Sequence, residues 1–498
     1  MSNNLFKNSV FFDRRLVFIL IFLLYILFPN NNSSLDSYAY AGYVKYNYFL
    51  FTPHHLFSNG IIYVLLQPFK YLGANIDILL FSKIINSLFQ LINLFVFYKI
   101  LTFLKIKERT KLLYILILAF SFSLWRYGTE NETYIIPISF SLLGSLYFLK
   151  NIKKSKTIYI ILSSLFGVLA CLFHQIHFFW WFGILFGVYF YNRRFKTIYL
   201  YFIPALLVPL SYVLVLIFYE KQGLTIFNLQ HFVFHDFYQG SVMTDFGWKG
   251  FFFQAINTVR TYFQIHPNIY FLIKNNWIYL IPLILCLIIS YKLFKLFTAD
   301  KNLITKKENC LKIYIKVHIF IFIANYLFAF YNAGNIEFMV MLPFLLILYI
   351  AIKYNIEYKL LKKIAVLLFI WNFFYGIFPN YKYDYYNDIE LVNYMIDNKK
   401  KIFIVKNHTI INQYFYETGI DNPKNILLFN KIIEGKLNQI IQLNEEVYTD
   451  IISKPGIFNK EKMVSNDLGI NFNDYKKEQI FSYNGFYGKT TVYKISKE

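Results

Sequence analysis

The sequence predicts a mainly α fold: a polytopic membrane helix bundle of about eleven spans, followed by a small α/β domain at the C-terminal end. Three observations predict it. Of 498 residues, 57% are hydrophobic and only 16% charged, against roughly 25% charged in ordinary soluble domains. Apolar runs of about 15–25 residues recur along the first three quarters of the chain, and about 20 helical residues cross a bilayer. Near Pro379 this pattern stops, and short apolar runs alternate with amphipathic stretches. A soluble globular enzyme is excluded. With 20 Gly and 12 Pro, so are collagen-like and low-complexity chains.

The predicted spans are Leu16–Pro29, Ile76–Leu101, Leu112–Trp125, Tyr134–Leu149, Thr157–Phe173, Phe178–Tyr191, Ile198–Tyr219, Trp277–Tyr291, Ile313–Phe330, Phe338–Ile352 and Ile364–Phe378. No small-residue cleavage site follows the first, which is therefore read as a retained span and not a signal peptide. Residues 1–379 form the membrane domain, with external loops at 30–75 and 220–276, and residues 380–498 the second domain.

Charge orients the bundle. Up to Pro379 there are 34 Lys and Arg against 13 Asp and Glu; from Asn380 onward 16 Lys face 15 acids. The net charge of +22 thus belongs to the membrane part. Basic residues favour short cytoplasmic loops. With Lys7, Arg14 and Arg15 inside, the clusters Lys105–Lys111, Lys150–Lys156, Arg193–Lys196, Lys292–Lys316 and Lys353–Lys363 all fall inside too. An odd number of spans then puts the C-terminal domain outside, and the expected location is the bacterial inner membrane. Nucleic-acid binding is excluded, because the basic residues sit in short loops on one side. The three cysteines (Cys171, Cys286, Cys310) provide no external disulfide framework.

The opposite face collects the groups that proton transfer and ligand binding need. Seven of the nine histidines lie there: His54, His55, His174, His177, His231, His235 and His266. Asp36, Asp77, Glu130, Glu132, Glu220, Asp236, Asp245 and Glu337 join them. Asp36 follows the first span by seven residues, at the membrane boundary. Thr52-Pro53-His54-His55 precedes an apolar segment, Leu56–Leu72, read as a helix lying in the interface, and helix N-termini suit anions such as phosphate. The turn Trp125-Arg126-Tyr127-Gly128-Thr129-Glu130-Asn131-Glu132-Thr133-Tyr134 places an arginine beside two carboxylates. His174 and His177 form an H-x-x-H step, a weak metal pattern, and Tyr331–Glu337 caps a late span. Each also has a plain structural reading, as solvated loop residues or interfacial anchors. Their gathering on one face argues for a site.

Together these features resemble the GT-C superfamily of integral-membrane glycosyltransferases, in particular its protein O-mannosyltransferase-like and lipopolysaccharide-sugar-transferase-like branches. The resemblance spans Arg14 to about Pro379. Asp36 matches the acidic residue of the large first external loop, His54-His55-Leu56 the element entering the juxtamembrane helix, and Trp125–Tyr134 the second acidic loop. His174 matches a polar residue further on. Asp36 is a lone acid where many relatives carry an acidic pair, which leaves a two-carboxylate or metal role open. No metal ligand is assigned.

The resemblance implies transfer of a sugar from a polyprenyl-phosphate carrier to a glycan, lipid or protein acceptor on the extracytoplasmic side, with inversion. Asp36 would be the general base. His54, His55 and Arg126 would hold the lipid phosphate, while Glu130, Glu132, His174 and Glu337 would bind sugar or acceptor. A polymerase or ligase acting on lipid-linked saccharides, or a flippase, is the alternative. Transporters tend to show repeats and mid-membrane charges, and neither is evident here. In the tail, Ile402–Val405 and Asn425–Phe429 read as strands, Thr409–Thr418 as a helix closed by Gly419, and Lys431–Ile452 as mostly helix.

Overall fold

The computed structural model describes residues 13–238, 247–265, 268–300, 303–307, 311–331, 334–429, 434–443, 446–455, 472 and 475–497. The chain divides into two compact units: Met1–Pro29, Phe49–Ile265 and Tyr279–Ile377 in the first, and Asn30–Tyr48, His266–Ile278 and Phe378–Glu498 in the second.

The helices are α1 (Arg14–Leu27), α2 (Leu35–Tyr46), α3 (Ser58–Tyr71), α4 (Ile78–Phe103), α5 (Glu108–Phe120), α6 (Phe122–Gly128), α7 (Ile135–Lys154), α8 (Thr157–Phe173) and α9 (Phe178–Asn192). Then come α10 (Phe195–Tyr219), α11 (Ile226–Val233), α12 (Trp248–Arg260) and α13 (Asn268–Asn275). The later helices are α14 (Trp277–Ala299), α15 (Lys312–Tyr331), α16 (Ile336–Lys353) and α17 (Tyr358–Lys382), followed by α18 (Ile389–Asp397), α19 (His408–Thr418) and α20 (Glu434–Gln442).

Every predicted span is helical. Among the described residues seven helices (α4, α7, α10, α14, α15, α16 and α17) are long and apolar enough to cross a membrane. The other four predicted spans correspond to α1, α5, α8 and α9, with 14, 13, 17 and 15 residues. The chain is an integral membrane protein.

Helix starts follow local chemistry. The Asp13 carboxylate accepts from the Arg15 amide at 2.7 Å at the head of α1. Asp77 does the same for Leu80 at 3.1 Å at the head of α4, so this acid is a helix cap. In the first unit α7 and α8 run close together. A Cβ on Gly144 would lie 3.1 Å from the Ser163 carbonyl, and Ser163 Oγ donates to the Gly144 carbonyl at 2.7 Å, the small-residue packing that membrane helices use in place of a hydrophobic drive. His318 is a satisfied core histidine. Its Nδ1 donates to the Tyr314 carbonyl (2.7 Å), its Nε2 meets Ser145 Oγ (2.8 Å), and that oxygen accepts from Trp180 Nε1 (2.8 Å). A two-stranded antiparallel ladder joins β1 (Ile304–Lys306) to β2 (Tyr354–Ile356).

The second unit is built on a five-stranded sheet. Its strands are β3 (Ile402–Val405), β4 (Ile426–Leu428), β5 (Val447–Thr449), β6 (Tyr475–Gly485) and β7 (Gly488–Lys497), in the order β4-β3-β5-β7-β6. β3 is parallel to β4 and β5; β7 is antiparallel to β5 and β6. β3 is central because Phe403, Ile404 and Val405 are all buried, as expected of a strand covered on both faces. The helix read over Lys431–Ile452 ends at Gln442. Beyond it Val447-Tyr448-Thr449, β-branched and aromatic, forms a fully buried strand.

Candidate active site

The turn after α6 is held from behind by a polar stripe on α4. Lys83, Asn86, Ser87, Gln90 and Asn93 recur at helical spacing inside an otherwise apolar span, and all are buried. Asn86 Nδ2 donates to the carbonyls of Glu130 (2.7 Å) and Glu132 (2.8 Å). Ser87 Oγ donates to Gly128 (2.8 Å) and Asn93 Nδ2 to Ile135 (3.0 Å). Lys83 Nζ stands 3.9 Å from the Glu130 carboxylate, both side chains buried. Intramembrane polar groups are costly unless matched; here they fix the backbone on which Glu130 and Glu132 ride.

A second group is assembled around Tyr134. Its hydroxyl donates to Glu337 Oε2 at 3.2 Å, which also accepts from Asn335 Nδ2 at 3.1 Å. The Tyr134 ring lies 4.9 Å from the His174 ring, His174 lies 5.6 Å from His55, and His55 3.9 Å from His54. The Pro53–Ser58 segment reaches this place because it docks on the end of α8: Phe57 N donates to the Leu172 carbonyl (3.1 Å) and Ser58 Oγ to that of Phe173 (2.8 Å). Burial, then the neighbouring imidazoles, pushes the pKa values of His55 and His174 well below the usual histidine range. Both are neutral at physiological pH and suited to hydroxyl groups, which need a donor and an acceptor. His177 is engaged at Ser141 Oγ (2.7 Å). Among the described residues no group of three or more His, Cys, Asp and Glu is arranged to hold a metal ion.

The third group joins Arg126, expected from the sequence, to Arg260, which was not. The segment after α12 is stitched to the start of α6: Phe122 N donates to the Tyr262 carbonyl (3.1 Å), and Ser123 N and Oγ donate to that of Thr261 (3.1 and 3.0 Å). The two arginines these segments carry, Arg126 and Arg260, are thereby held near each other. Burial first, then the Arg126 charge, lowers the Arg260 pKa, with the Tyr127 phenol opposing. Tyr127 is pushed well above the ordinary phenol value by burial, with Glu337, Arg126, Glu132 and Arg260 all within electrostatic reach. Among the described residues Arg260 forms no ion pair with a carboxylate; its guanidinium lies 6.0 Å above the Phe122 ring. Two guanidinium groups that oppose each other at a partly buried place favour an anion between them. The sequence signal existed: of seven arginines, only Arg126 and Arg260 fall outside in the charge-derived topology.

Gly334 ties Glu337 to the helix bearing Arg260. Its φ is +72°, and a Cβ there would lie 2.5 Å from the Gln254 amide nitrogen on α12; Asn257 Nδ2 also donates to its carbonyl at 2.8 Å. Only glycine fits both demands. Gly334→Ala is expected to cost about 2–4 kcal/mol through strain and overpacking, read as a fall in the thermal midpoint of the full chain.

Asp36 stands in the first turn of α2, in the second unit; the other candidates belong to the first. The Ser34 side chain caps α2, accepting from Ser37 N at 3.1 Å. α2 packs on α19, where Asn412 Nδ2 donates to the Leu35 carbonyl (3.0 Å) and Lys45 Nζ to that of Tyr416 (2.7 Å). His231 lies on α11 and His235 beyond its end, so they do not share one helix. Asp245, His266, Cys310, Asn332 and Ala333 lie outside the described residues, as does the side chain of Asp236.

An apolar cavity of about 650 Å³ opens beside the histidine group, lined by Cys171, Phe179, Trp181, Phe328, Gln175 and Tyr212 among others. Its two polar lining groups face one carbonyl: Tyr212 OH and Gln175 Nε2 both donate to Pro53, at 2.5 and 3.2 Å.

No protein-family model matches the sequence, and no curated protein matches it. Solved structures do match in fold. ArnT from Cupriavidus metallidurans bound to undecaprenyl phosphate aligns over 97% of both chains with a TM-score of 0.50 at 8% identity. The chain has an ArnT-like fold. The apo state of the same ArnT aligns over 97% of both chains with a TM-score of 0.44 at 9% identity. The membrane helix bundle with a small C-terminal sheet domain expected from the sequence is thus borne out as fold.

Proposed function

We propose that this membrane protein is a glycosyltransferase that moves a sugar from a polyprenyl-phosphate carrier to an acceptor hydroxyl. The observation that carries the reading is the Arg126–Arg260 pair, set within an ArnT-like fold. A lipid phosphate must leave with its negative charge as the glycosidic bond breaks. Guanidinium groups already in place bind that charge by paired N–H donors at no cost of reorganisation. The ArnT of Cupriavidus metallidurans holds undecaprenyl phosphate, the ligand chemistry such a pair suits. The apolar cavity near Pro53 is matched to an isoprenoid chain.

Other residues take roles by chemical type. His54 and the neutral His55 and His174 would meet sugar or phosphate oxygens, with the Tyr134 ring as an apolar wall. Glu337, Glu130 and Glu132 would orient hydroxyl groups. Asp36, from its sequence position after the first helix, is assigned as the base that takes the acceptor proton as its oxygen attacks the anomeric carbon, giving inversion. The acceptor is a glycan, lipid or protein, and the reaction face is assigned as extracytoplasmic on an inner membrane, with the N-terminus cytoplasmic.

Arg260→Gln tests the reading. Loss of one preorganised charge donor costs about 10²–10³ in turnover, so transfer from an undecaprenyl-phosphate-linked sugar is expected to fall by that factor. Undecaprenyl phosphate itself should bind more weakly. A variant that binds and transfers like the parent would overturn it.

A further inference from the structure

Asn372 sits within the membrane helix α17, fully buried, immediately before a π-helical turn at Phe373–Ile377. A buried amide in an apolar span is unfavourable unless all its polar atoms are matched, and a leucine would serve packing alone. Its side chain spends its hydrogen bonds on three backbone groups from two other segments. Oδ1 accepts from Gln264 N at 2.8 Å. Nδ2 donates to the carbonyls of Phe120 at 2.7 Å and Tyr262 at 2.6 Å. Next to it, Trp371 Nε1 donates to the Gln264 carbonyl at 2.9 Å.

The identity of those segments gives the arrangement its meaning. Phe120 ends the helix that leads through Ser121 into α6 and Arg126; Tyr262 and Gln264 follow Arg260 by two and four residues. One side chain therefore clamps together the backbones that present both guanidinium groups. The bonds from Phe122 and Ser123 to Tyr262 and Thr261 continue the same seam. π-turns inserted in helices recur at functional sites.

We propose that Asn372 is a positioning residue, setting the separation of Arg126 and Arg260 so that the pair closes on one phosphate group. The inference rests on the reading of that pair as the phosphate site. A guanidinium displaced by even 1 Å loses paired geometry, so the amide acts on affinity at a distance from the ligand.

The test uses the full-length protein and undecaprenyl phosphate as probe, measuring Kd and thermal midpoint together. Asn372→Ala is expected to weaken binding about tenfold or more. Leu368→Ala, buried on the same helix, should lower the midpoint comparably and leave Kd unchanged. Asn372→Asp keeps the shape and the Oδ1 acceptor but removes both donations, and should weaken binding equally; it stands in if the alanine variant does not fold. Combining Asn372→Ala with Arg260→Gln should cost little beyond the larger single effect, the non-additivity of coupled residues. Unchanged Kd in the Asn372 variants, with Arg260→Gln impaired, overturns the positioning role alone. Unchanged Kd in Arg260→Gln overturns the phosphate reading beneath it.

Discussion

Asp36→Asn is expected to lower sugar transfer by about 10³-fold or more while the protein still inserts and folds. A positioned general base contributes about 10²–10⁴ in rate, and asparagine has the shape of aspartate but no basic oxygen. The Ser34 cap of α2 is untouched, and the packing of α2 on α19 runs through Gly42, Lys45 and Tyr46, where Gly42 sits against the Phe415 ring. Removing a negative charge from a first helical turn forfeits about 0.3–1 kcal/mol of dipole interaction, and asparagine keeps one of the two accepting oxygens. The check is a transfer assay with an undecaprenyl-phosphate-linked sugar, paired with undecaprenyl phosphate binding. Binding should survive, because the proposed phosphate site is made of other residues. Parent-like transfer would remove Asp36 from the chemistry; loss of binding together with transfer would make it a binding residue.

What the sequence revealed depended on how locally each signal was written. The spans were legible because apolar runs are continuous, and even the shorter ones at α1, α5, α8 and α9 are helices. One-sided charge singled out the acids and histidines of one predicted face, and the structure joins several of them: His54, His55 and His174 to one another, and Glu337 to Tyr134. The polar stripe of α4 was invisible because Lys83, Asn86, Gln90 and Asn93 are diluted in a hydrophobic run and make sense only against the carbonyls they meet. Arg260 was passed over because its partner segment lies more than a hundred residues earlier, where Phe122 and Ser123 bond to Tyr262 and Thr261. In the tail, β3 and α19 carried clear local patterns. The long hairpin of β6 and β7 turns through Phe486-Tyr487, between the paired Gly485 and Gly488, and so lacks the Asn-Gly loop that marks a hairpin in sequence, whereas the helix read through Ile452 failed because periodicity over a short apolar run cannot separate a buried strand from a helix.

Lys454→Met is the second large effect, expected to destabilise the C-terminal unit by about 3–5 kcal/mol. Lys454 Nζ lies 2.6 Å from Asp388 Oδ1 and 2.9 Å from Asp450 Oδ2, with side-chain exposures of 5%, 12% and 0%. Tyr483 OH adds a donation to Asp388 at 3.4 Å. Burial alone would lower the Lys454 pKa, but the charges of Asp450 and Asp388 override it and hold it above the ordinary lysine value. Burial raises the Asp388 pKa, with Lys454 opposing. The signs then follow. A raised lysine pKa gives stability that is complete at neutral pH and fades as pH climbs through and beyond about 10.4. A raised carboxyl pKa favours the folded state below about 3.9 and loses that advantage as pH rises through the folded value. Methionine fills much of the lysine volume, so the cost of the substitution is mostly two buried carboxylates without their cation. One of them can take up a proton in acid. The difference in thermal midpoint between variant and parent should therefore be large at pH 8 and smaller at pH 5, with hydrogen exchange in β6 and β7 following the same course. A difference that does not change with pH would assign the loss to packing rather than charge.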